Sequence, residues 1–368
     1  MTLSPLLSPV DYSILPGWAD ETAEGAYAAF RRSALHAEAA PKPYRTGSLG
    51  IKAEAFGEAF REARAVAGPP SPRTFFERHF RACLVSPSPA SAGFVTGFYE
   101  PEMPASRVET DHFRFPLYGR PDDLVDLDES NRPACMDRYF AFGRATAEGI
   151  VEYFDREAIE NGALAGRAPV IAWLEDKVDL FFAHVQGAAR LVMEDGNLIR
   201  VTYAAKSGHP FTGPGSVLAE LGEIPRRAVT MQSIRAWFRA NPHRIDEILW
   251  RDRSFIFFRE VEVEDANAGP VAAAKVQLTA GRSLAVDRLL HTFGTPFFID
   301  APSLTAFGAR PFRRLMIAQD TGSAIVGAAR GDLFAGSGAA AGEIAGIIRH
   351  PADFYALVPR PLLEGGMS

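Results

Sequence analysis

"LMIAQDTGSAIVGAARGDLFAGSG", residues 315–338, places two short apolar runs on either side of a Thr-Gly turn and closes on a run of glycines. Apolar runs of this length bounded by glycine read as buried strands. The stretch also holds Asp-Thr-Gly-Ser-Ala, the string an aspartic protease shows around a catalytic carboxylate. Such a protease needs two carboxylates sharing one proton, from two motif copies or from a symmetric dimer of short chains. This sequence of 368 residues has no second Asp-Thr-Gly or Asp-Ser-Gly. Asp320 therefore reads as a strand end, with Thr321 and Gly322 making the turn. Asp332, between Gly331 and the apolar pair Leu333 and Phe334, is the better acid, because apolar neighbours that exclude water raise a carboxyl pKa.

Outward from this stretch, "SFIFFREVEV", "AAKVQLTA", "TPFFID", "RRLMIAQD" and "DFYALVP" give the C-terminal third a strand-like character. Short strands joined by glycine-bearing turns suggest a barrel rather than a layered parallel sheet. Asp287 in "SLAVDRLL" makes a third aspartate at a strand end, after Asp320 and with Asp332. "GSGAAAG" (336–342) resembles a dinucleotide loop, but its spacing is wrong and no convincing helix is read after it, so nucleotide binding is not expected.

The N-terminal ninety residues read differently. Segments 19–40, 50–66 and 71–84 carry helical spacing of apolar residues, the last opened by Ser71 or Pro72. In the middle of the chain, "ARLVMEDGNLIRVTYA" (189–204) is a hairpin turning at Asp195-Gly196. Helices return at 229–241, with Ile234, Trp237 and Phe238 on one face, and after Asn241, a candidate cap. The chain is too long for one ordinary core, so two domains are expected, one inserted in the other.

Composition narrows the function. A net charge of −6 disfavours nucleic acid as the main partner. Two cysteines 52 positions apart exclude a disulfide scaffold or zinc ribbon, and Cys83 and Cys135 are expected to be two buried free thiols. The eight histidines show no His-Glu-x-x-His. No Lys or Arg precedes Arg31, so no basic signal-peptide region is read, and no apolar run is long enough to span a bilayer.

Aromatic residues point to a sugar. Phe98, Tyr99, Phe257 and Phe258 could stack on pyranose faces, although at least half are expected to fill cores. Gln186 and Gly187, then Tyr203, Lys206, Ser207 and His209, put polar groups beside glycine where hydroxyl or N-acetyl groups could be bound.

Taken together, these segments resemble the membrane-bound lytic murein transglycosylase A family, from about Phe94 to Pro359. The resemblance rests on "TGFYEP" (96–101), "HVQGAARL" (184–191), "TYAAKSGHPF" (202–211), "MQSIRAW" (231–237), "DRSFIFFRE" (252–260) and the three aspartates Asp287, Asp320 and Asp332. It implies a mainly β fold with N-terminal helices (α+β). Residues 1–104 with 253–368 would form a double-ψ β-barrel domain. Residues 105–252 would form an inserted, second barrel-like domain, with a glycan groove between the two.

The resemblance also implies the chemistry. Asp332 would be the catalytic acid and then base, with Asp320 and Asp287 as supporting carboxylates. Thr96, Gly97, Tyr99, Gln186, Gly187, Tyr203, Lys206, Ser207 and Gly208 would bind peptidoglycan glycan strands. The bond cleaved would be MurNAc–GlcNAc β-1,4, without water and without metal or organic cofactor, leaving a 1,6-anhydro end. The implied setting is the periplasm and cell wall, as a monomer, with cell-wall synthesis or hydrolysis proteins as further partners. The sequence departs from the family pattern at Ser207, where Asn is usual, at Ala340, where an acid is usual, and in the plain "GIIRHPAD". No lipobox cysteine is read, and residues 1–90 are weakly matched. Two alternatives stay open: a glycoside hydrolase whose second carboxylate is Glu100 or Asp300, and a glycan-binding barrel without catalysis.

Overall fold

Ser71 accepts the backbone N–H of Thr74, Pro72 takes the first helical position, and a helix runs over Pro72–His79. It stops there, because Phe80 is extended and opens the strand Phe80–Val85. The helix expected through Leu84 is corrected at this point. Phe80, Ala82 and Cys83 are fully buried, and the strand pairs on both edges, with Leu7–Pro9 and with Asp353–Pro359. Those bonds need an extended backbone, and they override a sequence that is equally compatible with helix. The structure, a computed structural model, describes residues 3–40, 42–65, 68–69, 71–87, 92–262 and 268–364.

The chain divides into two compact units, residues 1–99 with 265–368, and residues 100–264. The strand Ile256–Val261 lies in the second unit because it pairs along Leu198–Lys206. In the first unit, a sheet runs in the order Leu7–Pro9, Phe80–Val85, Asp353–Pro359, Pro296–Ala301, Phe312–Asp320, Ser283–Val286, Arg330–Ser337, Phe94–Glu100, Arg349–Pro351. Ser283–Val286 is parallel to Phe312–Asp320 and antiparallel to Arg330–Ser337. The helix Glu24–Ala39 buries Ala26, Tyr27, Phe30 and Ala34, the spacing of one helical stripe. Phe30 meets Phe60, Phe75, Phe76 and Phe80, with ring centroids 5.1–5.8 Å apart. Truncating such a ring costs about 3–5 kcal/mol. "AAKVQLTA" forms no strand; it turns at Lys275, where φ is +61°, with only a bridge between Val271 and Gln277.

The second unit has a sheet in the order Ile256–Val261, Leu198–Lys206, Ala188–Met193, Glu102–Ser106, Val170–Leu174, Phe115–Tyr118, and a smaller sheet of Leu124–Asp126, Phe142–Thr146 and Gly149–Val151. The hairpin at 195–196 forms: Met193 N–H donates to Asn197 O, and Gly196 takes φ +81°. The helix Met231–Ala240 opens on a reciprocal cap between Thr230 and Ser233 and buries Ile234, Trp237 and Phe238. Asn241 does not cap the next helix; its side-chain amide donates to Trp237 O and closes the preceding one.

The architecture is thus mainly sheet with some helices, and among the described residues no sheet closes into a barrel. Both cysteines are free, but only Cys83 is buried; Cys135 is exposed, in the segment ahead of Phe142–Thr146. Among the described residues no helix is long and apolar enough to cross a membrane.

Candidate active site

Ala285 is the residue on which the site turns. It stands opposite Asp320 across one edge of its strand and opposite Asp332 across the other. Partners in register project to the same face of a sheet, so both carboxylates leave the sheet on the face that Ala285 occupies. Their backbones are two strand spacings apart, about 9–10 Å, with the buried Ala285 between them.

Asp332 is the third residue of Arg330–Ser337 and is partly buried. Leu333 points the other way, into the main core, so it does not desolvate the carboxyl as expected. Phe334 shares the face of Asp332 by alternation and lies 5.2 Å from the ring of Phe98. Arg330 Nη2 donates to Thr96 Oγ1 at 2.8 Å. The threonine hydrogen is thereby directed at Asp332 Oδ1, 2.5 Å away. Burial pushes the Asp332 carboxyl above the usual carboxylate range, while the Thr96 hydrogen bond and the Arg330 charge hold it back.

Asp320 is pushed up to about 6, chiefly by burial, with the Asp332 charge adding to it and the N–H groups of Thr321 and Ala273 opposing it. Ala273 N–H donates to Asp320 Oδ1 at 3.2 Å. Asp287 is placed otherwise. Its Oδ1 accepts Leu289 N–H at 2.9 Å and its Oδ2 accepts Gly327 N–H at 3.0 Å, which occupies both oxygens with backbone.

Thr96, Gly97 and Tyr99 lie on the strand Phe94–Glu100. A Cβ on Gly97 would come within 2.6 Å of Ile348 Cδ1 and 2.9 Å of Ala345 Cα. This glycine lets the helix Ala339–Ile347 lie against the strand. That helix begins inside "GSGAAAG", at Ala339, and runs on past it, where no convincing helix is expected from the sequence. Tyr99 is buried, and a Cβ on Gly342 would stand 2.8 Å from its ring.

In the second unit, Gln186 ends the helix Lys177–Gln186 and Gly187 caps it at φ +72°. Gly187 O accepts Tyr203 N–H at 2.7 Å, so these two expected residues adjoin, and the Tyr203 ring is exposed. The Lys206 ammonium sits 5.5 Å from the Tyr139 ring centroid. Ser207 is fully buried and its Oγ accepts Phe255 N–H at 3.0 Å; it ties backbone together and does not face a ligand. Gly208 follows at φ +92°, and His209 is buried with Nε2 on Tyr153 O at 2.8 Å. Phe257 and Phe258 are core residues, and of the four candidate stacking rings only Phe98 is part-exposed.

Neither proposed second carboxylate is available. Glu100 is fully buried with Arg200 Nε at 2.7 Å and Arg190 Nε at 2.9 Å. Asp300 is buried with Arg313 Nε at 3.0 Å. Among the described residues no group of three His, Cys, Asp or Glu side chains is arranged to hold a metal.

Residues 94–259 match the MltA specific insert domain, and residues 282–358 match the 3D domain. The crystal structure of a membrane-bound lytic murein transglycosylase from Agrobacterium tumefaciens is 50% identical, covers 98% of this chain and 99% of its own, and superposes with a TM-score of 0.91. The chain belongs to the membrane-bound lytic murein transglycosylase A family. MltA from Neisseria gonorrhoeae is 32% identical over 96% of this chain and 92% of its own, with a TM-score of 0.78. The curated membrane-bound lytic murein transglycosylase A of Escherichia coli K12 is 29% identical over 272 residues, 72% of this chain. That match spans just under two thirds of the relative's length, 66%.

Within this family frame, three groups at the site were invisible to sequence reasoning. Arg330 reaches Asp332 through Thr96, Ala285 separates the two carboxylates, and the Ala273 N–H bonds Asp320. Only Arg330 left a trace, as a cation two positions from the aspartate.

Proposed function

We propose that this chain cleaves the MurNAc–GlcNAc β-1,4 bond of peptidoglycan as a lytic transglycosylase, with Asp332 as the one acid and base. Membership of the family supports the activity. The observation that carries the mechanism is the Arg330–Thr96–Asp332 relay beside a second raised carboxyl. Because Thr96 gives its hydrogen to Oδ1, the proton of neutral Asp332 sits on Oδ2. Oδ2 donates it to the bridging oxygen as the C1–O bond breaks. The resulting carboxylate takes the proton of the MurNAc 6-hydroxyl, whose oxygen attacks C1 and closes the 1,6-anhydro ring. The carboxyl ends as it began, and no water enters. Intramolecular attack gains from high effective concentration. Burial keeps Asp332 protonated, and Asp320, whose pKa is raised to about 6 chiefly by burial and further by the Asp332 charge, stands by as a second carboxyl that resists ionising.

Gln186, Gly187, Tyr203, Lys206 and Gly208 are proposed glycan contacts, together with Thr96; Gly97 and Tyr99 shape the strand. The finer fold reading, a double-ψ barrel carrying the aspartates and a barrel-like insert, is supported by the parallel pairing of Ser283–Val286 inside an otherwise antiparallel neighbourhood. The periplasm and cell wall follow as the proposed setting, since the relatives are named for murein and membrane.

The test is mass spectrometry of muropeptides released from purified sacculi by wild type and Asp332→Asn. Anhydro products from wild type and none from the variant are expected. Products with reducing ends would mean hydrolysis, and no release by wild type would leave a binding protein.

A further inference from the structure

The loop 321–329 joins Asp320 to Arg330 and Asp332, and so decides where both carboxylates and the guanidinium stand. Four hydrogen bonds hold it. Thr321 Oγ1 donates to Val286 O at 2.8 Å, Gly327 N–H donates to Asp287 Oδ2 at 3.0 Å, and Phe94 N–H donates to Ala329 O at 2.9 Å. The fourth joins His291 Nε2 to Ala328 O at 2.8 Å. A carbonyl only accepts, so Nε2 carries the hydrogen. Burial holds the His291 pKa down to about 4, so the ring is neutral and Nδ1 is bare. Nδ1 is buried with no hydrogen-bond partner among the described residues. The ring thus spends its one N–H on the loop.

Asp287 and His291 are themselves held. Leu290 and His291 N–H groups fold back on Asp287 O at 3.0 and 2.8 Å. The N-terminal segment lies along them: Ser48 N–H donates to Leu289 O at 2.9 Å, Leu49 N–H to Leu290 O at 3.0 Å, and Gly47 N–H to Thr292 Oγ1 at 3.0 Å. A Cβ on Gly47 would collide with the backbone of Leu290. The charges acting on Asp332 and Asp320 are those of Arg330 and of Asp332, whereas the Asp287 charge acts on His291.

We infer that Asp287 and His291 are positioning residues, which clamp Gly327 and Ala328 and thereby fix the Arg330–Thr96–Asp332 relay, and that residues 47–49 brace this clamp. The inference rests on Asp332 as the acid. It removes Asp287 from proton transfer and gives part of the N-terminal region a task at the site.

The experiment measures anhydro-muropeptide release from sacculi across pH, at varied sacculus concentration, for wild type, His291→Leu, His291→Gln and Asp287→Asn. His291→Leu keeps bulk and loses the donor; His291→Gln keeps a donor. The expected result for His291→Leu is a kcat roughly tenfold to a hundredfold lower, as small misplacements at a reacting centre give, with half-saturation within about twofold. With Arg330 and Thr96 loosened and Asp320 unchanged, the alkaline fall of its kcat moves to higher pH. His291→Gln restores both, and Asp287→Asn, which keeps one of two acceptors, is displaced in the same direction by less. Folded His291→Leu with wild-type kcat and profile overturns the inference. If His291→Leu does not fold, a wild-type profile in Asp287→Asn overturns it instead. Loss of a whole limb in Asp287→Asn also overturns it, since Asp287 would then exchange protons. Absence of anhydro products from wild type is a different failure, that of the transglycosylase reading itself.

Discussion

Glu100 in the second unit lies between two guanidiniums, Arg190 and Arg200, with no solvent exposure. In the first unit Asp320 and Asp332 are partly buried, and among the described residues no ion pair forms on either. Arg330 reaches Asp332 only through the hydroxyl of Thr96. The difference separates structure from chemistry. A carboxylate held between two arginines fixes strands, whereas one buried without an ion pair is pushed towards its protonated form and can hand on a proton.

The sharpest break of this comparison is substitution of each acid in turn. Asp332→Asn removes both acid and base duties, and a loss of about 10³-fold or more in kcat is expected from muropeptide release rates, with the fold intact. Glu100→Ala should do the reverse in kind. It takes the carboxylate away from Arg190 and the buried Arg200 and should cost about 3–5 kcal/mol in urea unfolding.

Asp320→Asn tests the sign of burial. With its folded value at about 6, above the ordinary carboxyl value, Asp320 favours the fold while both states hold the proton. Stability is lost as pH rises from about 4 to about 6, because the unfolded chain releases its proton first. The variant should therefore be more stable than wild type by about 1–3 kcal/mol at pH 7.5 and no more stable at pH 3.5, read by denaturant midpoints. Thr96→Val has the smallest effect. It removes a contact that lowers the Asp332 pKa, so the alkaline fall of kcat should move to higher pH, and Thr96→Ser should restore it.

The sequence shows what local chemistry dictates. The 195–196 turn is legible because Gly196 takes the positive φ a short hairpin loop needs, and the helix at 72 because Ser71 and Pro72 are good openers. Phe80–Val85 is not legible, since its conformation is set by strands more than seventy residues before it and more than 260 after it. The same holds at the site. Three aspartates can be picked out, but their sorting depends on register: Ala285 places Asp320 and Asp332 on one face, while Asp287, just past the strand end, turns to Gly327. Phe257 and Phe258 look like stacking rings until their strand is seen to bury both faces. Glu100 looks like a spare catalytic acid until Arg190 and Arg200, remote in sequence, close on it.

The central claim is that one carboxyl, Asp332, cleaves the glycan without water. Digestion of sacculi in water enriched in oxygen-18, followed by mass spectrometry of the new MurNAc ends, tests it directly. The account predicts anhydro ends carrying no label. Labelled reducing ends, formed at the rate of cleavage, would contradict it.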